Sequence, residues 1–172
     1  MISRRIAIKN LAFAVSGVIL LPGCDFQDGS GVGSKGLLSG DKKDLLRAIV
    51  ESIIPGDKNI PGAGALKVHE YVEIMVADCH GREVQQIFLQ GLERTEEIAA
   101  ENYRWDFVDL EQQEKKRILT VIETSQNEAD HQFFTLVKSL SIQGYLTSEY
   151  VVKNFSDYVM VPGPEYCCTP IG

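Results

Sequence analysis

Cys79-His80 and Cys167-Cys168 are the residues of this 172-residue chain whose types suit metal or redox chemistry. Three thiols and an imidazole are the soft donors that zinc prefers. Their spacing argues against a zinc centre, because adjacent cysteines chelate one tetrahedral ion poorly and an oxidising compartment turns thiols into disulfides. His69-Glu70 lacks the second histidine one turn on that a zinc hydrolase needs. The Gly-x-Ser-x-Gly elbow of a serine hydrolase and the Cys-x-x-Cys-His of covalent haem do not occur. The acids are numerous but scattered along what read as helix surfaces, where a charged face is solvated. His131, just ahead of Phe133-Phe134, reads as a surface or cap-proximal histidine and the phenylalanine pair as core. On this reading the chain carries no catalytic, cofactor-binding or metal residues of its own.

Residues 1–24 carry a different kind of chemistry. Ser3-Arg4-Arg5-Ile6-Ala7-Ile8-Lys9 precedes an apolar run from Leu11 to Leu21. That run is too short to span a membrane, which takes about 20 residues, and it has the basic front of an export signal. The arginine pair, Arg4 and Arg5, resembles a twin-arginine signal, whose translocase carries cargo that has already folded. Leu21-Pro22-Gly23-Cys24 resembles a lipobox in which Cys24 becomes the lipidated first residue, although Pro22 stands where a small or β-branched residue is usual. The expectation is an exported protein held by lipid at the periplasmic face of a membrane. The chain then divides into a signal at 1–23, a lipidated cysteine and Gly/Ser-rich tether at 24–40, and a helical domain at 41–172.

Removing residues 1–23 takes away three cations and no acid, so the formal charge moves from -7 to -10. Nucleic acid is excluded as a partner on that balance, since neutralising phosphates needs a basic surface. The basic cluster Lys115-Lys116-Arg117 lies behind Glu111 and Glu114 and reads as a solvated helix face. Beyond Cys24 there are three cysteines, an odd number for a compartment where disulfides form. A bond between Cys167 and Cys168 would close a strained ring, so Cys79 is expected to pair with one of them and leave the other free. The competing reading of Cys79 is a buried thiol, since it continues the apolar spacing of its helix.

The elements that must position these residues follow from apolar spacing. The tether has glycines at 29, 31, 33, 36 and 40 and no periodicity. Its root-mean-square span is roughly 20 to 24 Å. Gly31-Val32-Gly33-Ser34-Lys35-Gly36 matches the dinucleotide fingerprint in form only, for no strand precedes it. Leu45, Leu46, Ile49, Val50 and Ile53 predict a first helix capped by Asp41 and stopped by Pro55-Gly56. A Pro/Gly-rich loop runs to Leu66. Val68, Val72, Met75, Val76 and Cys79 predict a second helix, and Val84, Ile87, Phe88, Leu92 and Ile98 a third. Asp109 with Gln112 reads as a capping box for a fourth helix through Ile122. Phe133 to Leu140 marks a fifth, broken at Gly144-Tyr145-Leu146, and Thr147 or Ser148 caps a sixth ending near Phe155. The tail from Tyr158, with Pro162, Gly163, Pro164 and Pro170, reads as irregular. The fold class is therefore all-α, a single helical bundle-like domain of about six helices with an irregular C-terminal tail.

Ile53-Ile54-Pro55, Pro61-Gly62-Ala63, Ala77-Asp78-Cys79, Phe88-Leu89-Gln90-Gly91-Leu92, Phe133-Phe134, Gly144-Tyr145-Leu146-Thr147-Ser148-Glu149 and Val161-Pro162-Gly163 occur in that order. In order and spacing the chain resembles the gluconate 2-dehydrogenase subunit 3 family over about residues 41 to 172. The resemblance implies a small, non-catalytic subunit of a membrane-bound dehydrogenase. Its expected partners are a large flavoprotein of the glucose-methanol-choline type, which holds FAD and oxidises a sugar or sugar acid, and often a cytochrome c subunit. The small subunit would help the large one mature and leave through the Tat translocase. The tail departs from the family pattern at Glu165-Tyr166-Cys167-Cys168, where Cys168 is the better match to the family cysteine. The loop at 55–64 and the tail at 158–172 are the expected contact surface, because such segments are costly to order alone. Two other readings compete: a free-standing periplasmic lipoprotein binding a small ligand between its helices, and an enzyme using Cys79, His80, Cys167 and Cys168.

Overall fold

Leu45, Leu46, Ile49 and Val50 lie about one turn apart and are all buried, so the 3.6-residue spacing does mark one helix face. A computed structural model describes residues 36–156, and these are helical without a strand. The order is α1 (Gly40–Ile53), α2 (Val68–Cys79), α3 (Arg82–Tyr103), a 3-10 turn (Phe107–Asp109), α4 (Gln112–Glu123), α5 (Glu128–Leu146) and α6 (Glu149–Phe155). The all-α reading with six helices holds. Arg4, Arg5, Cys24, Cys167 and Cys168 lie outside the described residues.

α5 is the hub, packing against each of the other five helices. Phe133, Phe134, Val137 and Leu140 on α5 meet Val68, Val72 and Val76 of α2, Phe88 and Leu92 of α3, and Ile118 and Ile122 of α4 in one buried cluster. Each such side chain contributes about 1.5 to 3 kcal/mol by leaving water. Glycines set how closely the helices cross. A Cβ on Gly91 would lie 2.0 Å from Cγ of Phe133, so α3 can approach α5 only without one. A Cβ on Gly144 would lie 2.6 Å from Cδ1 of Tyr71, which fixes the crossing of α2 and α5 in the same way.

Several boundaries differ from the sequence reading. Gly144 does not break α5, which runs on to Leu146. A mid-helix glycine costs about 1 kcal/mol relative to alanine, and the close packing on Tyr71 and Val68 offsets it. The capping box of α4 is Glu111 with Glu114, not Asp109 with Gln112, because Asp109 already closes the 3-10 turn. Asp41 lies within the first turn of α1, whose N-cap is Ser39. Ser148 caps α6, accepting from the Val151 amide, while the Thr147 hydroxyl donates back to the Gln143 carbonyl. The folded body also reaches ahead of residue 41. Leu38 is buried, and its amide donates to Oε1 of the buried Glu73 at 3.1 Å, while Lys43 pairs with the other oxygen at 3.2 Å. Among the described residues no helix is long and apolar enough to cross a membrane.

Candidate functional site

The Pro/Gly-rich loop between α1 and α2 is built from the last turn of α1 outward. Glu51 reaches over it: Oε1 accepts from the Gly56 amide at 3.1 Å and Oε2 from the Gly64 amide at 2.7 Å. Gly56 and Gly62 pass back to back. A Cβ on Gly62 would lie 2.4 Å from the Gly56 nitrogen and 2.3 Å from Oε1 of Glu51, so only glycine fits there. Asp57 organises the tip, with Oδ1 accepting from the Asn59 and Ile60 amides at 2.7 and 2.8 Å. Those two bonds hold its carboxyl below the usual carboxylate range. The loop ends on Lys67, which takes a left-handed conformation at φ 56° to start α2.

Two tyrosines from the other end of the chain clamp this loop. Tyr145 of α5 donates its hydroxyl to the Pro61 carbonyl at 3.0 Å, and Tyr150 of α6 donates to the Asn59 carbonyl at 3.2 Å. Burial pushes the Tyr145 phenol above its ordinary pKa, so it stays protonated and able to donate. The expectation that this loop is costly to order without a partner is corrected here, since the bonds that order it lie within the chain. It is a preformed surface. Ile60 at its tip is exposed, and on α6 the ring of Phe155 is 64% exposed and meets Tyr150 edge-on at 6.2 Å. A large aromatic side chain left in water beside a rigid loop is what a docking surface presents.

The residues singled out for chemistry are placed less closely. Cys79 ends α2 and is exposed with a free thiol, so the reading of a buried cysteine is corrected; its neighbour Val76 takes the inward position instead. His131 is exposed in the first turn of α5, as expected. The fold brings it to the same cleft as His80, about 410 Å³ in volume, with Val84, Ile87 and Leu136 as apolar lining. His69 stands apart from both on α2, its Nδ1 buried without a hydrogen-bond partner, and burial is the main cause holding its pKa below the ordinary value. No group of three or more His, Cys, Asp or Glu that could hold a metal ion occurs among the described residues. Lys115, read as part of a solvated cluster, is half-buried; its ammonium sits 5.9 Å from the centre of the Phe107 ring and donates to the Val108 carbonyl at 2.7 Å. The sequence reading missed the Glu51 anchor and the two tyrosine clamps, for which the signal is no more than one acid in the last turn of α1 and two tyrosines near the end of the described residues.

No curated protein and no solved structure matches this chain. A comparison with known protein families matches residues 41–163 to gluconate 2-dehydrogenase subunit 3. That span takes in the Glu51-anchored loop, its two clamping tyrosines and all six helices but the first residue of α1, and the chain accordingly belongs to the gluconate 2-dehydrogenase subunit 3 family.

Proposed function

We propose that this chain is the non-catalytic small subunit of an exported, FAD-dependent sugar or polyol dehydrogenase of the glucose-methanol-choline type. It binds the large flavoprotein in the cytoplasm, helps it mature, and lends it the twin-arginine signal at Arg4 and Arg5. Lipidation of Cys24 then anchors the pair at the periplasmic face of a membrane, where a cytochrome c subunit can take the electrons. FAD and the oxidative chemistry belong to the partner. Family membership over residues 41–163 is the observation that carries this reading. The preformed loop, with Ile60 at its tip and Phe155 beside it, is the surface on which the large subunit docks.

Co-expression with a large flavoprotein dehydrogenase subunit tests it. Both proteins should purify together and reach the periplasm, and Arg4→Lys with Arg5→Lys should strand both in the cytoplasm. Ile60→Asp with Phe155→Ser should weaken co-purification at least tenfold. Export of active flavoprotein at an undiminished level without this chain would overturn the proposal.

A further inference from the structure

Met75 and Cys79 lie one turn apart on α2, which puts both side chains on the same face of the helix. Sγ of Cys79 stands 4.0 Å from Sδ of Met75. The thiol is free and exposed, whereas Met75 is half-buried against the core, so the thioether is packed in place and the thiol meets solvent. Thiolate and thioether are both soft donors, and such a pair selects Cu(I). Among the described residues no cluster of three or more His, Cys, Asp or Glu offers the larger ligand sets that harder ions need, but Cu(I) is satisfied by sulfur at a low coordination number.

The separation of the sulfurs suits one ion between them. Metal bonds of about 2.3 Å from each sulfur, the length of a zinc–thiolate bond, would span the observed 4.0 Å at an angle of about 120°. That angle is trigonal and leaves one further position. We propose that Met75 and Cys79 form a Cu(I)-binding site whose third position is open to water or to an outside thiol. His80, the next residue, lines the cleft against α3 and α5 and is left out of the site. On binding, Cys79 gives its thiol proton to water as the Sγ–Cu bond forms, Met75 shares a sulfur lone pair, and copper remains Cu(I) throughout. Zinc, which takes four ligands in a tetrahedron, finds too few here. The helix already holds the two sulfurs together, so little ordering accompanies binding. The inference does not depend on the proposed dehydrogenase partner.

The test uses the full-length chain with Cys24→Ser, Cys167→Ser and Cys168→Ser, so that Cys79 is its only thiol. The reduced protein is titrated without oxygen against the coloured complex of Cu(I) with ferrozine, and loss of colour reads both stoichiometry and affinity. One Cu(I) per monomer is the expected result, with X-ray absorption showing sulfur neighbours at about 2.3 Å. Met75→Leu, which keeps the volume of the side chain and removes only the donor, should weaken Cu(I) binding at least tenfold with the helical circular dichroism unchanged. Cys79→Ser, at an exposed position, should abolish it. Affinity that ignores Met75→Leu would reduce the site to a bare thiol and overturn the inference. So would a failure to draw Cu(I) from ferrozine, or copper held only between two chains.

Discussion

The hydroxyl of Tyr145 donates to the carbonyl oxygen of Pro61 at 3.0 Å, joining the last turn of α5 to the loop that precedes α2 across 84 residues of sequence. This bond and its partner from Tyr150 convert a segment with two prolines and three glycines into a rigid surface. Tyr145→Phe keeps the ring and removes only the donor, so it should cost about 1 kcal/mol. Glu51→Ala removes acceptors from two backbone amides and should cost more, about 2 kcal/mol. Urea denaturation gives both values, and amide exchange at Gly56 and Gly64 should quicken in Glu51→Ala while exchange in α4 does not.

The crossing of α3 and α5 rests on the missing side chain of Gly91. Gly91→Ala, normally favourable in a helix, should instead destabilise by about 1 to 3 kcal/mol, because the ring of Phe133 has nowhere to move in a packed core. Phe133→Leu should recover part of that loss in the double variant. A double-mutant cycle on denaturation midpoints measures the coupling.

His69 makes stability depend on pH. Burial holds its folded-state pKa below the 6.5 it takes in the unfolded chain, with Arg47 adding to that and Glu70 and Glu73 opposing it. The unfolded chain then binds the proton more readily. Stability from this group is fully present above about pH 6.5 and is lost as pH falls through the folded-state value. Relative to His69→Gln, the native protein should lose denaturation free energy between about pH 7 and pH 5, the window below the ordinary histidine pKa. Parallel curves for the two proteins would remove His69 from the account.

Arg104 ends α3 in a left-handed conformation at φ 59°, its amide bonded to the Ala100 carbonyl at 3.0 Å. An L side chain there costs about 1 kcal/mol that glycine avoids. Arg104→Gly should therefore raise the melting temperature by several degrees, against the usual direction for a glycine substitution. Differential scanning calorimetry reads the shift.

The helices and their inward faces were legible in the sequence because each is a local repeat: Leu45 to Val50, Val68 to Val76 and Phe133 to Leu140 each announce one buried stripe. The family could likewise be read from motif order, since Ile53-Ile54-Pro55 and Gly144-Tyr145-Leu146 keep their places along the chain. Tertiary structure decided what depends on partners far apart in sequence. Gly144 reads as a breaker until Tyr71 and Val68 of α2 are seen packed against it. The loop at 55–64 reads as a segment awaiting a partner until Glu51, Tyr145 and Tyr150 are found holding its amides and carbonyls. Cys79 follows the apolar period of α2 yet lies in water, because a repeat of 3.6 drifts around the helix and only the neighbouring helices determine where the buried face ends.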